Sequence, residues 1–125
     1  MNLQDINTSY SDFSKYIDVD GGMGRIGKNK KLYVMLLGKF LTDTNYDKMC
    51  EQITADDYTT ASSSAHAIKG VAANLSFPEL YSTSLEMEQS LKNGAFSEDL
   101  LVNMKNAFEK TTEYINLIIT NIEDI

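Results

Sequence analysis

The sequence has few of the residues that build covalent or metal-bound frameworks. Among its 125 residues there are one cysteine, one histidine, one proline and no tryptophan. A lone cysteine cannot form an intrachain disulfide, and together with a lone histidine it cannot supply a zinc site made of several such ligands. No apolar run approaches the roughly 20 residues of a membrane span, and residues 1–12 lack the basic start and apolar core of a signal peptide. We therefore expect a cytoplasmic protein that does not enter the membrane.

Basic residues are also outnumbered. Eleven lysines and arginines face 18 acidic residues, which gives a formal net charge of −7. A protein that binds nucleic-acid phosphates needs a basic face, so nucleic acid is not an expected partner. The apolar fraction of 42% is sufficient for a packed core. The length suits a single domain, which we assign to residues 1–125.

Apolar residues recur at helical spacing through most of the chain, and no stretch alternates with the period of a strand. Four long helices are predicted, at about residues 29–43, 55–75, 76–93 and 98–122. Their expected N-caps are Asn29, Thr54 with Asp57, Ser76 with Glu79, and Ser97; Asn93-Gly94 is a typical helix end. The clearest apolar stripe lies in the last helix and consists of Leu101, Met104, Phe108, Thr111, Ile115, Ile118 and Ile122.

The first 28 residues are predicted to be a short helical segment followed by a glycine-rich turn. A short amphipathic piece contains Ile6, Tyr10, Phe13 and Ile17, and residues 18–28 contain four glycines. The predicted fold class is therefore all-α. It is an antiparallel four-helix bundle over residues 29–122, preceded by one or two short N-terminal helices.

Residues 22–27 match the pattern G-x-G-x-x-G literally, as Gly-Met-Gly-Arg-Ile-Gly. A dinucleotide site needs this pattern between a strand and a helix of a βαβ unit, and no strand is predicted. A kinase glycine loop needs a β-hairpin, which is also missing from the prediction. We interpret the run as a turn with a short helix, in which glycine permits positive φ.

The single histidine, His66, follows Ala65 and lies one residue past the apolar stripe of its predicted helix, so its ring is expected on the flank. Lys69, one turn on, is expected on the same exposed flank, where it could pair with an anion carried on the ring. Gly70 costs roughly 1 kcal/mol relative to alanine inside a helix, which close approach by a partner would explain. Other neighbours on this flank are small: Thr59, Ser62 and Ala73. The alternative interpretation is an ordinary solvated histidine.

Residues 65–75, Ala-His-Ala-Ile-Lys-Gly-Val-Ala-Ala-Asn-Leu, resemble the signature of histidine-containing phosphotransfer (HPt) domains. That signature is a helix with His-x-x-Lys-Gly followed by small residues. The resemblance covers about residues 18–95. Outside the signature it includes Asp20, Gly22, Met23, Arg25, Gly27, Leu32, Tyr33, Phe40, Leu80, Met87, Glu88 and Gly94. Ser76 is a departure, because the family often has glycine at this position.

The resemblance implies a phosphorelay intermediate in two-component signalling. His66 would accept a phosphoryl group at Nε2 from a receiver aspartyl phosphate or a kinase, and pass it to another receiver aspartate. Lys69 would neutralise phosphoryl charge, and Glu88 on the next helix would orient the imidazole. The partner-binding residues would be Ser62, Gly70, Ala73 and Asn74.

The resemblance also implies a carrier without an ATP site or a cofactor of its own, since Mg²⁺ would belong to the receiver. The expected partners are response-regulator receiver domains, with a hybrid histidine kinase as a further candidate, and the expected state is a monomer. Because the chain starts at Met1 and ends just after the last predicted helix, we expect a free-standing carrier. A module of a hybrid kinase is the alternative.

Two other functions are weighed against this one. The dimerising histidine domain of a sensor kinase typically has an acidic residue directly after the histidine and a proline soon afterwards. Here Ala67 follows, and Pro78 is twelve residues on. A phosphorylation-independent helical adaptor is disfavoured by the intact set of His66, Lys69 and Gly70. Because Lys69 is expected to be exposed, its loss is expected to affect phosphotransfer more than folding.

Overall fold

The computed structural model describes residues 2–121, and this range contains helices and no strand. The helices are α1 (Leu3–Ser9), α2 (Phe13–Tyr16), α3 (Val19–Gly24), α4 (Lys30–Phe40), α5 (Asn45–Thr54), α6 (Tyr58–Leu75), α7 (Pro78–Lys92) and α8 (Glu98–Thr120). The predicted all-α class is confirmed. Ile122, the last residue of the predicted bundle and of its apolar stripe, lies outside the described residues.

Helices α6, α7 and α8 follow one another through short connections and pack side by side as antiparallel neighbours. Each turns an apolar face inward. The fully buried residues of these faces include Ala65, Ile68 and Ala72 of α6, Leu80, Met87 and Leu91 of α7, and Met104, Ile115 and Ile118 of α8. Burial of these side chains provides the main stabilisation of the bundle, because removing apolar surface from water is the dominant favourable contribution to folding.

The remaining position in the bundle is filled by two helices rather than one. α4 packs against α6 and α8, and α5 packs against α6. Tyr46 at the start of α5 also stacks on Phe108 of α8, with ring centroids 4.4 Å apart. The predicted helix at 29–43 therefore ends early, at Phe40, and α5 was missed. The four-helix bundle is confirmed, with one of its four members divided.

Polar residues at 42–45 explain the division. The Thr42 hydroxyl donates to the Lys39 carbonyl at 2.8 Å, and the Asn45 N–H donates to the Asp43 carboxylate at 2.7 Å. Side chains that bond to nearby backbone in this way offer it an alternative to the helical ladder. The run Thr-Asp-Thr-Asn was therefore a readable stop signal that apolar spacing alone did not reveal.

The prediction that Thr54 caps the N-terminus of α6 was wrong. Thr54 ends α5, and its hydroxyl donates to the Cys50 carbonyl at 3.0 Å. Asp57 caps α6 instead, accepting the Thr60 N–H at 3.2 Å. The helix consequently begins at Tyr58. The caps at Asn29 and Ser97 and the helix end at Asn93-Gly94 are confirmed.

Ser76 was predicted to cap α7 and is instead the C-cap of α6. Its backbone is left-handed, with φ 62° and ψ 63°. Glycine adopts this conformation most easily, which is a physical reason for a glycine at such a helix end. The Ser76 hydroxyl accepts a hydrogen bond from the Arg25 guanidinium. Phe77 takes the N-cap position of α7 without a side-chain cap, and Pro78 occupies the first turn as predicted.

The N-terminal segment contains three short helices where one or two were expected. Ile6, Phe13 and Ile17 are buried against the bundle, whereas Tyr10 is exposed and touches the Tyr114 ring edge-on. The Asp18 N–H donates to the Ser76 carbonyl at 2.8 Å. This segment is therefore part of the domain and lies against the C-terminal end of α6.

The glycines at residues 22–27 allow the N-terminal segment to pack closely against the end of α6. A Cβ added at Gly22 would lie 2.6 Å from the Leu75 carbonyl oxygen and 2.5 Å from the Tyr33 ring. The Tyr33 hydroxyl in turn donates to the same carbonyl at 2.8 Å. Only glycine allows so close an approach, and Gly27 supplies a positive φ of 72° in the turn that follows. The G-x-G-x-x-G match is thus explained by packing.

No helix between residues 2 and 121 has the combination of length and apolar character needed to cross a bilayer.

Two hydroxyl groups in the bundle lead to a stability prediction. Within the described residues, the side-chain oxygens of Ser84 and Thr111 are buried and have no hydrogen-bond partner. Thr111→Val removes an unpaired hydroxyl while keeping a branched side chain, so it should raise the free energy of unfolding by about 1 kcal/mol. Urea unfolding followed by circular dichroism measures this.

The neighbouring Thr112 is a matched control, because its hydroxyl donates to the Phe108 carbonyl at 2.8 Å. Thr112→Val should give no such gain. Equal gains for the two variants would show that valine itself, and not removal of the unpaired hydroxyl, is responsible.

Candidate functional site

His66 lies near the middle of α6, and its side chain is 65% exposed. Burial of Ala65 and Ile68 sets the rotation of the helix about its own axis. His66 lies next to this buried face and therefore points outward, at the edge of the α6–α7 contact. The sequence-based placement of the ring beside the core stripe is confirmed.

Glu88 on α7 provides the partner of this imidazole. Its Oε2 atom is 2.8 Å from His66 Nδ1, and its Oε1 atom is 2.6 Å from Lys69 Nζ. Glu88 is only 2% exposed, although it carries a full charge. Packing of α7 against α6 thus brings together all three residues to which a chemical role was assigned from the sequence.

A second lysine, Lys92, also approaches this carboxylate and was missed by the sequence analysis. Its Nζ is 3.4 Å from Glu88 Oε2, and its side chain is 61% exposed. The spacing was a usable signal, because a glutamate four residues before a lysine on a helix forms a favourable pair. Two helices therefore place three nitrogen groups around one buried carboxylate.

The electrostatics of the site follow from this arrangement. Burial by itself raises the pKa of Glu88, but hydrogen bonds from Lys69, His66 and Lys92 outweigh it and lower the pKa to about 2. Glu88 is therefore ionised at neutral pH and can only accept hydrogen bonds. A neutral His66 beside it must carry its proton on Nδ1, which leaves the lone pair of the exposed Nε2 available.

Lys69 does not lie free on the flank as expected. Its side chain is 20% exposed and its ammonium group contacts the buried Glu88 carboxylate. Because Lys69 stabilises a buried charge, its loss should lower the stability of the fold, in addition to any effect on the chemistry of the site. The expectation that loss of Lys69 affects phosphotransfer more than folding rested on its exposure, and its position does not support that premise.

Ser62, expected on the partner-binding surface, is buried, and its hydroxyl donates to the Thr59 carbonyl at 2.7 Å. Ser63, three residues before His66, is the exposed serine and was overlooked. The i−3 spacing would have identified it. A shallow depression of about 250 Å³ beside the imidazole is lined by Ser62, Ser63, His66, Glu88 and Lys92.

Gly70, Ala73 and Asn74 are exposed along α6 in the C-terminal direction from His66, as expected. A Cβ added at Gly70 would meet no atom within 4 Å. The fold itself therefore does not require glycine there, and the open space lies one helical turn from His66.

Within residues 2–121, no group of three histidine, cysteine, aspartate or glutamate side chains is arranged to hold a metal ion. The chemistry that the described side chains do support is nucleophilic. An exposed ring nitrogen with a fixed tautomer can attack an electrophile, and the carboxylate on the opposite nitrogen stabilises the charge that develops.

A protein-family model described as Hpt domain matches residues 36–116 of the chain. The matched range contains His66, Lys69, Gly70, Glu88 and Lys92, and it covers α5, α6 and α7 completely. No curated protein and no solved structure matches the chain.

The lowered pKa of Glu88 leads to a prediction about acid stability. Because the folded pKa is about 2 and the ordinary value is 4.5, the charged form stabilises the fold fully above pH 4.5. This contribution, about 3 kcal/mol, is lost as the pH falls from 4.5 through 2. Glu88→Gln should therefore be less stable at pH 7 and should show a flatter decline in unfolding free energy below pH 5.

Urea unfolding at several pH values between 7 and 2.5 measures this decline. Glu86, an exposed glutamate two residues earlier on α7, is the matched control, and Glu86→Gln should keep the slope of the parent protein. If Glu88→Gln also keeps that slope, the carboxylate is not the source of the acid sensitivity.

Proposed function

Because the chain belongs to the Hpt domain family, we propose that it carries a phosphoryl group on His66 between the aspartates of receiver domains. Membership of the family supports a phosphotransfer role in two-component signalling and receiver domains as partners. The observation that carries the assignment to His66 is the 2.8 Å contact between its Nδ1 and the buried Glu88 carboxylate. In a neutral ring this contact places the proton on Nδ1 and leaves the lone pair of Nε2 free, on a side chain that is exposed.

In the proposed step, the Nε2 lone pair attacks the phosphorus of a receiver's aspartyl phosphate. A bond from Nε2 to phosphorus forms, the bond from phosphorus to the aspartate oxygen breaks, and its electron pair leaves with the carboxylate. The Nδ1 proton stays between the ring and Glu88. Glu88 stabilises the positive charge gained by the ring. Transfer to a second receiver reverses these steps with the same groups.

We assign to Lys69 the role of neutralising the negative charge of the phosphoryl group. It follows His66 by three residues on the same face of α6, and its Nζ is already within the site, 2.6 Å from Glu88 Oε1. We assign the divalent cation for the reaction to the receiver. In this proposal the chain is a carrier without an ATP site or cofactor of its own, rather than an enzyme.

Docking of the receiver is assigned to the exposed surface of α6 formed by Ser63, Gly70, Ala73 and Asn74. These small side chains around His66 would let the receiver bring its aspartate up to Nε2. The charge of the phosphoryl group is balanced locally by lysine, so the net charge of −7 does not oppose this role. The cytoplasmic location, the monomeric state and a hybrid kinase partner stay predictions.

The first test of this function is labelling by a phosphorylated receiver. The wild-type chain should take up radioactive phosphoryl group, and His66→Gln should take up none, because no other histidine is present. The label should be lost in acid and survive alkali, as expected for phosphohistidine. A wild-type chain that no receiver labels, across the receivers of its source organism, would favour the adaptor function instead.

Gly70 provides a test of the docking surface. Gly70→Gln should stabilise the isolated domain by about 0.5 kcal/mol, because glutamine is the better helix former. It should slow transfer from the receiver by roughly tenfold or more, because the side chain fills the space beside His66. Thermal unfolding and transfer kinetics measure the two effects separately.

The control is Gly38→Gln on α4, where an added Cβ would come only within 4.0 Å of Ile119. This variant gains the same helix propensity at a position distant in sequence from His66 and should transfer normally. Unimpaired transfer in Gly70→Gln would remove Gly70 from the docking surface.

A further inference from the structure

Lys92 makes the loosest of the three contacts to Glu88 in the resting arrangement. The carboxylate already receives Lys69 at 2.6 Å and His66 at 2.8 Å, one on each oxygen. Lys92 Nζ is farther away, 3.4 Å from Oε2, which is the oxygen that His66 also contacts. Most of the Lys92 side chain is exposed to solvent. Its contact with the carboxylate is therefore the longest and the most solvent-screened of the three.

Phosphorylation of His66 changes the balance of charge at the site. A phosphoryl group adds close to two negative charges and three acceptor oxygens. Lys69 is the α6 cation one turn from the ring, so it is the group that can turn to those oxygens. Turning away from Glu88 would leave a carboxylate that is 2% exposed without its closest partner. An unpaired buried charge is strongly destabilising.

We infer that Lys92 is the reserve counter-ion of Glu88, which moves onto the carboxylate when Lys69 turns to the phosphoryl group. This inference rests on the proposed function. The lysine stem is flexible, and closing from 3.4 Å to a normal ion-pair distance requires a shift of well under 1 Å at Nζ. Lys92 thus acts through Glu88 as a positioning residue and does not touch the reacting atoms.

The exchange keeps the imidazole in place. Glu88 continues to hold the Nδ1 proton of His66 while Lys69 is engaged elsewhere, so the positive ring of the phosphohistidine keeps its counter-charge. Lys92 therefore contributes less to the site before phosphorylation than afterwards. A merely structural lysine would contribute equally to both states.

The experiment compares Lys92→Met and Lys92→Arg with the parent chain after direct phosphorylation by phosphoramidate, which transfers its phosphoryl group and releases ammonia. In Lys92→Met the phosphohistidine should hydrolyse roughly fivefold faster, reflecting a weakened counter-ion. Lys92→Arg should restore the lifetime. Lys105→Met, which removes an exposed lysine from α8, is the control for loss of charge and should match the parent chain.

Imidazole ¹⁵N chemical shifts supply the second readout. In the unphosphorylated state Lys92→Met should keep the parent tautomer of His66, and after phosphorylation its Nδ1 resonance should differ from that of the parent. Equal lifetimes for Lys92→Met and the parent chain would overturn the inference. So would an equal spectral change in both states, which would make Lys92 a permanent partner.

The chemical donor separates this inference from the proposed function. A chain that phosphoramidate labels at His66, but no receiver does, would contradict the proposed function and still allow the Lys92 comparison. A chain labelled by both donors, with no effect of Lys92→Met, would leave the function intact and remove the role of Lys92.

Discussion

A buried carboxylate cannot remain charged without partners, and this constraint organises the site. Glu88 is almost fully enclosed between α6 and α7, so the two helices must supply hydrogen-bond donors and positive charge to it. They do so from two directions: His66 and Lys69 come from α6, and Lys92 comes from one turn further along α7. The carboxylate that fixes the imidazole is therefore also a link between the helices. Stability and reactivity share one group, and any change to it alters both.

The scaffold makes this arrangement possible through small residues and an anchored helix end. Ala61, Ala65 and Ala72 are buried along α6, and side chains of this size let neighbouring helices approach closely. At its C-terminal end α6 is held by Asp18 and Arg25 of the N-terminal segment and by Tyr33 of α4. The position of His66 relative to the rest of the bundle is thus fixed in two ways: by the packing of α7 against α6 and by the anchored end of α6.

Much of this could be predicted from the sequence, for reasons that are local. Helical periodicity identified the faces of α6, α7 and α8, and their caps at Ser97 and Asn93-Gly94 are short-range signals. His66 was placed correctly because its neighbours Ala65 and Ile68 define a core face. The resemblance then directed attention to Glu88, although no sequence rule measures a distance between helices.

The errors arose where a residue had two possible local roles. Thr54 and Ser76 both fit an N-cap pattern, yet each belongs to the end of the preceding helix, because the chain turns later than the pattern suggested. The partial burial of Lys69 and the burial of Ser62 also could not be predicted from the sequence. Each depends on how closely α7 approaches α6, which periodicity along one helix does not contain.

The N-terminal segment has a practical consequence for anyone who wishes to move this domain into another protein. The family model begins at residue 36, inside α4. Ile6, Phe13 and Ile17, each no more than 1% exposed, lie before that point. A transplant cut at the matched boundaries would leave behind part of its own hydrophobic core, together with the residues that close over the Leu75 carbonyl. The unit that can be exchanged between proteins is therefore longer than the unit that is recognisable by sequence.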